Sequence, residues 1–139
     1  MIPVMIIVSV LYPRHGESQF DHEYYQQKHM PLVEQRWSGM GLVKMEWMRG
    51  VAAPDGGEPA YEVITLLTFL SREAFEAGLA AFGEEILGDI PNFTNVQPLV
   101  QINQPVFETS NGTINVELER TQEEPTPDQN LWGVVRDRP

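Results

Sequence analysis

Two segments of this chain are apolar at both odd and even positions: residues 4–11 (Val-Met-Ile-Ile-Val-Ser-Val-Leu) and residues 61–70, where Thr65 and Thr68 interrupt the run after Glu62 near its start. Side chains alternate between the two faces of a strand, so such segments must be buried on both sides. They belong at the centre of a sheet that is covered twice. A third segment, 42–49, alternates instead, with Val43, Met45 and Trp47 on one side and Lys44 and Glu46 on the other. That pattern fits a half-buried edge strand. A fourth strand spans 96–102, where Pro98 is tolerable only at an edge or a bulge.

Helical signals fall between these strands. Asp21 is a good N-cap, Glu23 suits the positive first turn, and the helix runs through Tyr24, Tyr25 and Lys28 to about Met30. Pro31 either ends it or opens a second helical piece through Trp37, with Gly39 and Gly41 stopping the region. Ser71 caps a later helix whose apolar residues Phe75, Leu79, Phe82 and Ile86 lie on one stripe, and Pro91 ends it.

The element order is therefore βαββαβ, an α+β ferredoxin-like sandwich with a four-stranded antiparallel sheet and two helices on one face. In that topology the first and third strands are central, which is where the doubly apolar segments fall. Residues 1–103 form this domain. Residues 104–139 are an acidic, Pro-containing extension in which 113–118 alternates enough to add one strand. The sheet face away from the helices still carries apolar residues and needs a cover. A second copy of the same sheet, giving a homodimer, is favoured over the extension, which is too polar to cap much apolar surface.

Composition removes several functions. The net charge of −11 disfavours nucleic acid and anionic membrane surfaces as partners. There is no cysteine, so thiol catalysis, Cys-ligated zinc and iron–sulfur clusters are excluded. The apolar start has no basic segment before it and is too short to span a bilayer, so the expected location is the cytoplasm. His22 and His29 are seven apart, not the i, i+4 pair of a metal-binding helix, so no metal is expected.

The densest polar cluster is 21–32. On a helix His22, Tyr25 and His29 share a face, and a histidine turned toward an apolar cavity can act as general acid or base. The competing reading makes His29 a buried structural histidine. Asp21 is first a cap: eight residues at ~1.5 Å rise place it ~12 Å from His29 along one helix. A helix end just after His29 would favour its charged form while burial opposes it, leaving the pKa near neutrality. Trp47 is read either as core or as part of a ligand pocket.

Phe20-Asp21-x-x-Tyr24-Tyr25-x-x-Lys28-His29-Met30-Pro31-Leu32 strongly resembles the first-helix motif of the EthD family. Asp89-Ile90-Pro91-Asn92-Phe93-Thr94 and Pro98-Leu99-Val100-Gln101-Ile102 resemble that family's ending. The resemblance covers about residues 4–103 and implies a dimeric α+β barrel. That superfamily is similar in fold to methylmuconolactone isomerases, quinone-forming monooxygenases and small polyketide cyclases. The helix-one histidine of the motif matches His29. The resemblance implies an enzyme or accessory protein acting on a small hydrophobic aromatic, polyketide or lactone compound by cofactor-independent proton transfer or oxidation. The alternative is a non-catalytic ligand-binding partner of an oxygenase system. His29 and Tyr25 are the catalytic candidates, and Asp21, Tyr24, Asn92 and Trp47 the candidates for substrate contact.

Overall fold

The computed structural model describes residues 4–106, 108–110 and 113–115. The chain divides into two compact units, residues 1–104 and 105–139. In the first, β1 (Ile6–Pro13) leads to a helical region, then β2 (Leu42–Arg49), β3 (Tyr61–Phe69), α3 (Arg72–Gly88) and β4 (Leu99–Asn103). The sheet order is β2-β3-β1-β4, all neighbours antiparallel, so β1 and β3 are central, as the doubly apolar pattern requires. In the second unit, β5 (Glu108–Ser110) pairs antiparallel with β6 (Thr113–Asn115). The acidic run at 117–124 lies outside the described residues. No described helix is long and apolar enough to cross a membrane.

Register sorts the side chains by face. Ile6, Val8, Val10 and Tyr12 stand opposite Phe69, Leu67, Thr65 and Val63. Directly opposed residues share a face. Val100 and Ile102 of β4 join Val10 and Val8 on that face, and it is the one covered by the helices. Ile7 and Leu11 lie on the opposite face with Leu66, Ile64 and Met48. Two details differ from the sequence reading. β4 begins at Leu99 rather than Val96, because Pro98 has no N–H to give the ladder. β2 has a register shift between Leu42 and Lys44, so Val43 sits in an irregularity and is exposed instead of sharing the face of Met45 and Trp47.

The first helical region runs without interruption from His22 to Trp37, but not as one α-helix. It comprises α1 (His22–Tyr24), a π-helical stretch Tyr25–His29, and α2 (Met30–Trp37). Asp21 caps the start, its carboxylate accepting from the Tyr24 N–H at 3.0 Å. In a regular helix the Pro31 ring would meet the carbonyl of Gln27 and the bond to it would be lost. The wider turn accommodates this: the Met30 N–H reaches back to the Tyr25 carbonyl, five residues away. Pro31 thus opens α2 near its first residue. Gly41, at φ 101°, ends the region in a left-handed conformation that glycine adopts without strain.

α2 and α3 meet through a close contact. The buried Trp37 indole donates from Nε1 to the Gly78 carbonyl at 2.8 Å. A Cβ on Gly78 would stand 2.9 Å from that nitrogen and 3.0 Å from Cδ1. The indole is packed against Phe69 and Phe75 and has little room to yield. Gly78→Ala should therefore destabilise the domain: overpacking costs about 1–3 kcal/mol and outweighs the ~1 kcal/mol that alanine gains in a helix. Thermal unfolding measures it, and a midpoint equal to or above wild type would contradict the packing described.

Candidate functional site

A cavity of about 620 Å³ lies between the helices and the sheet of the first unit. Its wall is mainly aliphatic and aromatic, drawn from β1, β4, α2 and α3. Polar groups enter it at few places. His29 and Tyr25 from the π-helical stretch, Thr65 from β3 and Tyr12 from β1 gather on one part of the wall. The π turn explains why neighbours in sequence reach the interior together: Tyr25, His29 and Met30 are all buried. An ordinary α-helix would rotate Met30 well away from Tyr25.

His29 is held from behind. Its Nδ1 lies 2.9 Å from Oδ2 of Asp89, the residue that caps the C-terminus of α3. The other oxygen of Asp89 accepts from the Tyr24 hydroxyl at 2.7 Å and from Asn92 Nδ2 at 2.9 Å. A carboxylate accepts, so Nδ1 carries the proton and Nε2 keeps its lone pair. Nε2 has no hydrogen-bond partner among the described residues, and His29 is part of the cavity wall. Tyr25 stacks on the imidazole, ring centroids 5.4 Å apart, and Phe93 packs against it at 4.6 Å. Tyr25 is in turn hydrogen-bonded to Thr65.

The charges follow from burial. Burial lowers the His29 pKa and outweighs the opposing pull of Asp89, so the imidazole is neutral in the folded protein. Burial alone would raise Asp89, but hydrogen bonds from Tyr24, Asn92 and His29 bring its carboxyl below the ordinary carboxylate range. Burial pushes the Tyr25 phenol up to about 12 and Tyr12 higher still, so both are neutral donors. The helix-end argument for His29 does not hold, because the helix continues through Trp37. The group opposing burial is Asp89.

The candidate residues from sequence separate into groups. His29 and Tyr25 are on the cavity wall. Tyr24 and Asn92 are outside it and hold Asp89. Asp21 is exposed and caps α1. Trp47, 37% exposed, approaches the Tyr25 ring edge-on at 6.3 Å but is not in the wall. His22 pairs with Glu62, which also takes Arg14, tying the helix start to β3 and to the residue that follows β1. Sequence reasoning sought a partner for His29 within its own helix and missed Asp89, although Asp89 opens the quoted Asp-Ile-Pro-Asn-Phe-Thr motif. Tyr12 and Thr65 were missed too; their parity with Val8, Val10, Val63 and Leu67 was the available signal. Among the described residues no group of three or more histidines and acids is arranged to hold a metal ion.

A ferredoxin-like α+β domain with a histidine–aspartate pair at an apolar interior cavity defines the class. Comparison with solved structures carries this further. The chain is 38% identical to an EthD-like protein from Ralstonia eutropha JMP134, covering 78% of this chain and 97% of that one, with a TM-score of 0.72. An EthD family protein from Bacillus halodurans C-125 has the same fold at 19% identity, covering 73% of this chain and 99% of that one, with a TM-score of 0.53. The chain belongs to the EthD family. A scan against family models and a search of curated proteins give no match.

The neutral His29 has a consequence for stability. In the unfolded chain it takes a proton near its ordinary value of 6.5, whereas the folded protein resists this. The unfolded state therefore binds more protons below that pH, and stability falls as pH drops through it toward the lowered folded value. Thermal midpoints measured from pH 8 to pH 5 should decline over this window, and His29→Gln should flatten that part of the curve. An unchanged slope in the variant would assign the decline to other groups.

Proposed function

We propose that this protein is an enzyme that moves a proton on a small hydrophobic aromatic, polyketide or lactone compound, with His29 Nε2 as the base. The observation that supports this is the imidazole on the cavity wall, neutral, with its proton held at Nδ1 by Asp89 and its lone pair left for a ligand. A neutral imidazole is the form a general base needs. The apolar wall favours uncharged aromatic or aliphatic substrates and keeps water from competing for the lone pair. Tyr25, stacked on the ring and neutral, is the candidate to donate to the substrate. Tyr24 and Asn92 act on Asp89 rather than on the ligand. An oxidation would follow the same first step, with the carbanion of the substrate then meeting dioxygen.

The test is proton exchange. Enolisable aromatic ketones and lactones incubated with the protein in deuterium oxide should lose their α-proton signals in the NMR spectrum faster than in buffer. His29→Gln keeps the size of the side chain and some hydrogen bonding, and should slow exchange roughly 10²–10⁴-fold without unfolding the protein. A His29→Gln variant as fast as wild type would return His29 to a structural role. Binding without any exchange would favour an accessory, ligand-carrying protein.

The reading also includes a homodimer in the cytoplasm. Met48 and Leu99 on the sheet face away from the helices are about half exposed, beside Ile7, Leu11, Ile64 and Leu66. Such a face is best covered by its own copy in an isologous contact. Sedimentation at micromolar protein should give a dimer, and Leu66→Lys should shift it to monomer. A folded monomer in the unsubstituted chain at that concentration contradicts the pairing.

A further inference from the structure

Tyr12, Tyr25 and Thr65 are each about 2% exposed, and all three line the cavity. Their hydroxyls carry three O–H protons. The Tyr25–Thr65 hydrogen bond uses one. The Tyr12 hydroxyl, turned toward Tyr25, uses at most one more. No backbone or side-chain acceptor among the described residues takes the remaining one. Deprotonation does not remove the surplus, because both phenols are held neutral by burial. A buried donor without an acceptor is costly, and native proteins rarely keep one. Here the open side of the cluster is the cavity, so the acceptor belongs to whatever occupies it.

We propose that the Tyr12–Tyr25–Thr65 hydroxyl cluster is a subsite for a carbonyl oxygen, and that the ligand is an uncharged, enolisable carbonyl compound with its acidic C–H against His29. The second half rests on the reading of His29 as a base; the first half does not. An acid is a poorer fit than a ketone, ester or lactone. Arg72, the one cation lining the cavity among the described residues, is paired with Glu76 at 3.0 Å. The step balances without an oxidant. The C–H bond breaks and its proton goes to Nε2. The electron pair becomes the new C=C bond, and the carbonyl π pair moves to oxygen. The spare O–H donates to the enolate oxygen more strongly than to the starting carbonyl, which is the differential interaction that lowers a barrier. Return of the proton to a second carbon completes an isomerisation.

The probe is 2-acetonaphthone, followed by the infrared stretch of its carbonyl. Bound to the intact protein, the stretch should lie below its value in alkane, as expected for an oxygen accepting a hydrogen bond. The triple variant Tyr12→Phe/Tyr25→Phe/Thr65→Val, which removes every hydroxyl of the cluster, should move it back toward the alkane value, while Thr65→Val alone, which still leaves a spare O–H on the tyrosines, should leave it lowered. A thermal melt of each variant establishes that it is folded. His29→Gln should also leave the stretch lowered while slowing deuterium exchange at the methyl group roughly 10²–10⁴-fold; a lowered stretch with no exchange in the intact protein would sink the base and keep the subsite. Failure of the ketone to bind, an alkane-like stretch in the intact protein, or a stretch still lowered in the folded triple variant would overturn the proposal.

Discussion

The carboxylate of Asp89 joins parts of the chain that are far apart in sequence. It receives Tyr24 from α1, His29 from the π-helical stretch and Asn92 from the turn after α3. Hydrogen bonds to a charged group are individually among the stronger ones. Their joint effect is geometric. They fix the end of α3 against the start of the first helix and hold one imidazole in one tautomer. Two further contacts strengthen this junction: the Asp21 N–H donates to the Phe93 carbonyl at 2.7 Å, and Phe20 bridges to Thr94.

The helix that carries His29 to that carboxylate is not regular. Pro31 forbids the ordinary hydrogen bond to Gln27, and the chain answers with a wider turn that inserts a residue. The insertion brings Met30 inward beside Tyr25 and His29 and leaves the helix able to continue to Trp37. The residue that looks like a helix breaker is therefore what extends the buried face past the imidazole to Met30. On the α2 side the helix is anchored by Trp37 against Gly78, so the helix pair has a fixed contact at each end.

Much of this was readable before any coordinates. Strand centrality followed from the doubly apolar runs at 4–11 and 61–70, and the capping roles of Asp21 and Ser71 from residue type and position. What the pattern misread has a local cause in each case: Pro98 delays β4, and the irregularity near Val43 breaks the alternation of β2. Of the site, His29 and Tyr25 were legible as polar residues sharing a helical face with His22. Tyr24 and Asn92 were singled out for substrate contact but lie behind Asp89, because a face read from spacing says which residues are neighbours and not what stands between them and a cavity.

The sequence by itself determined the topology and the family resemblance, since these depend on periodicity, caps and short motifs, all local properties of the chain. It also determined that His29 and Tyr25 share a helical face. Only the tertiary structure decided that the partner of His29 is Asp89, 60 residues away, and that Tyr12 and Thr65 complete the polar wall. Those pairings arise where α3 ends against the first helix and where β1 and β3 lie in register. Hydrogen bonds between distant segments depend on where packing brings the chain ends and strands, and no spacing along the sequence encodes that distance.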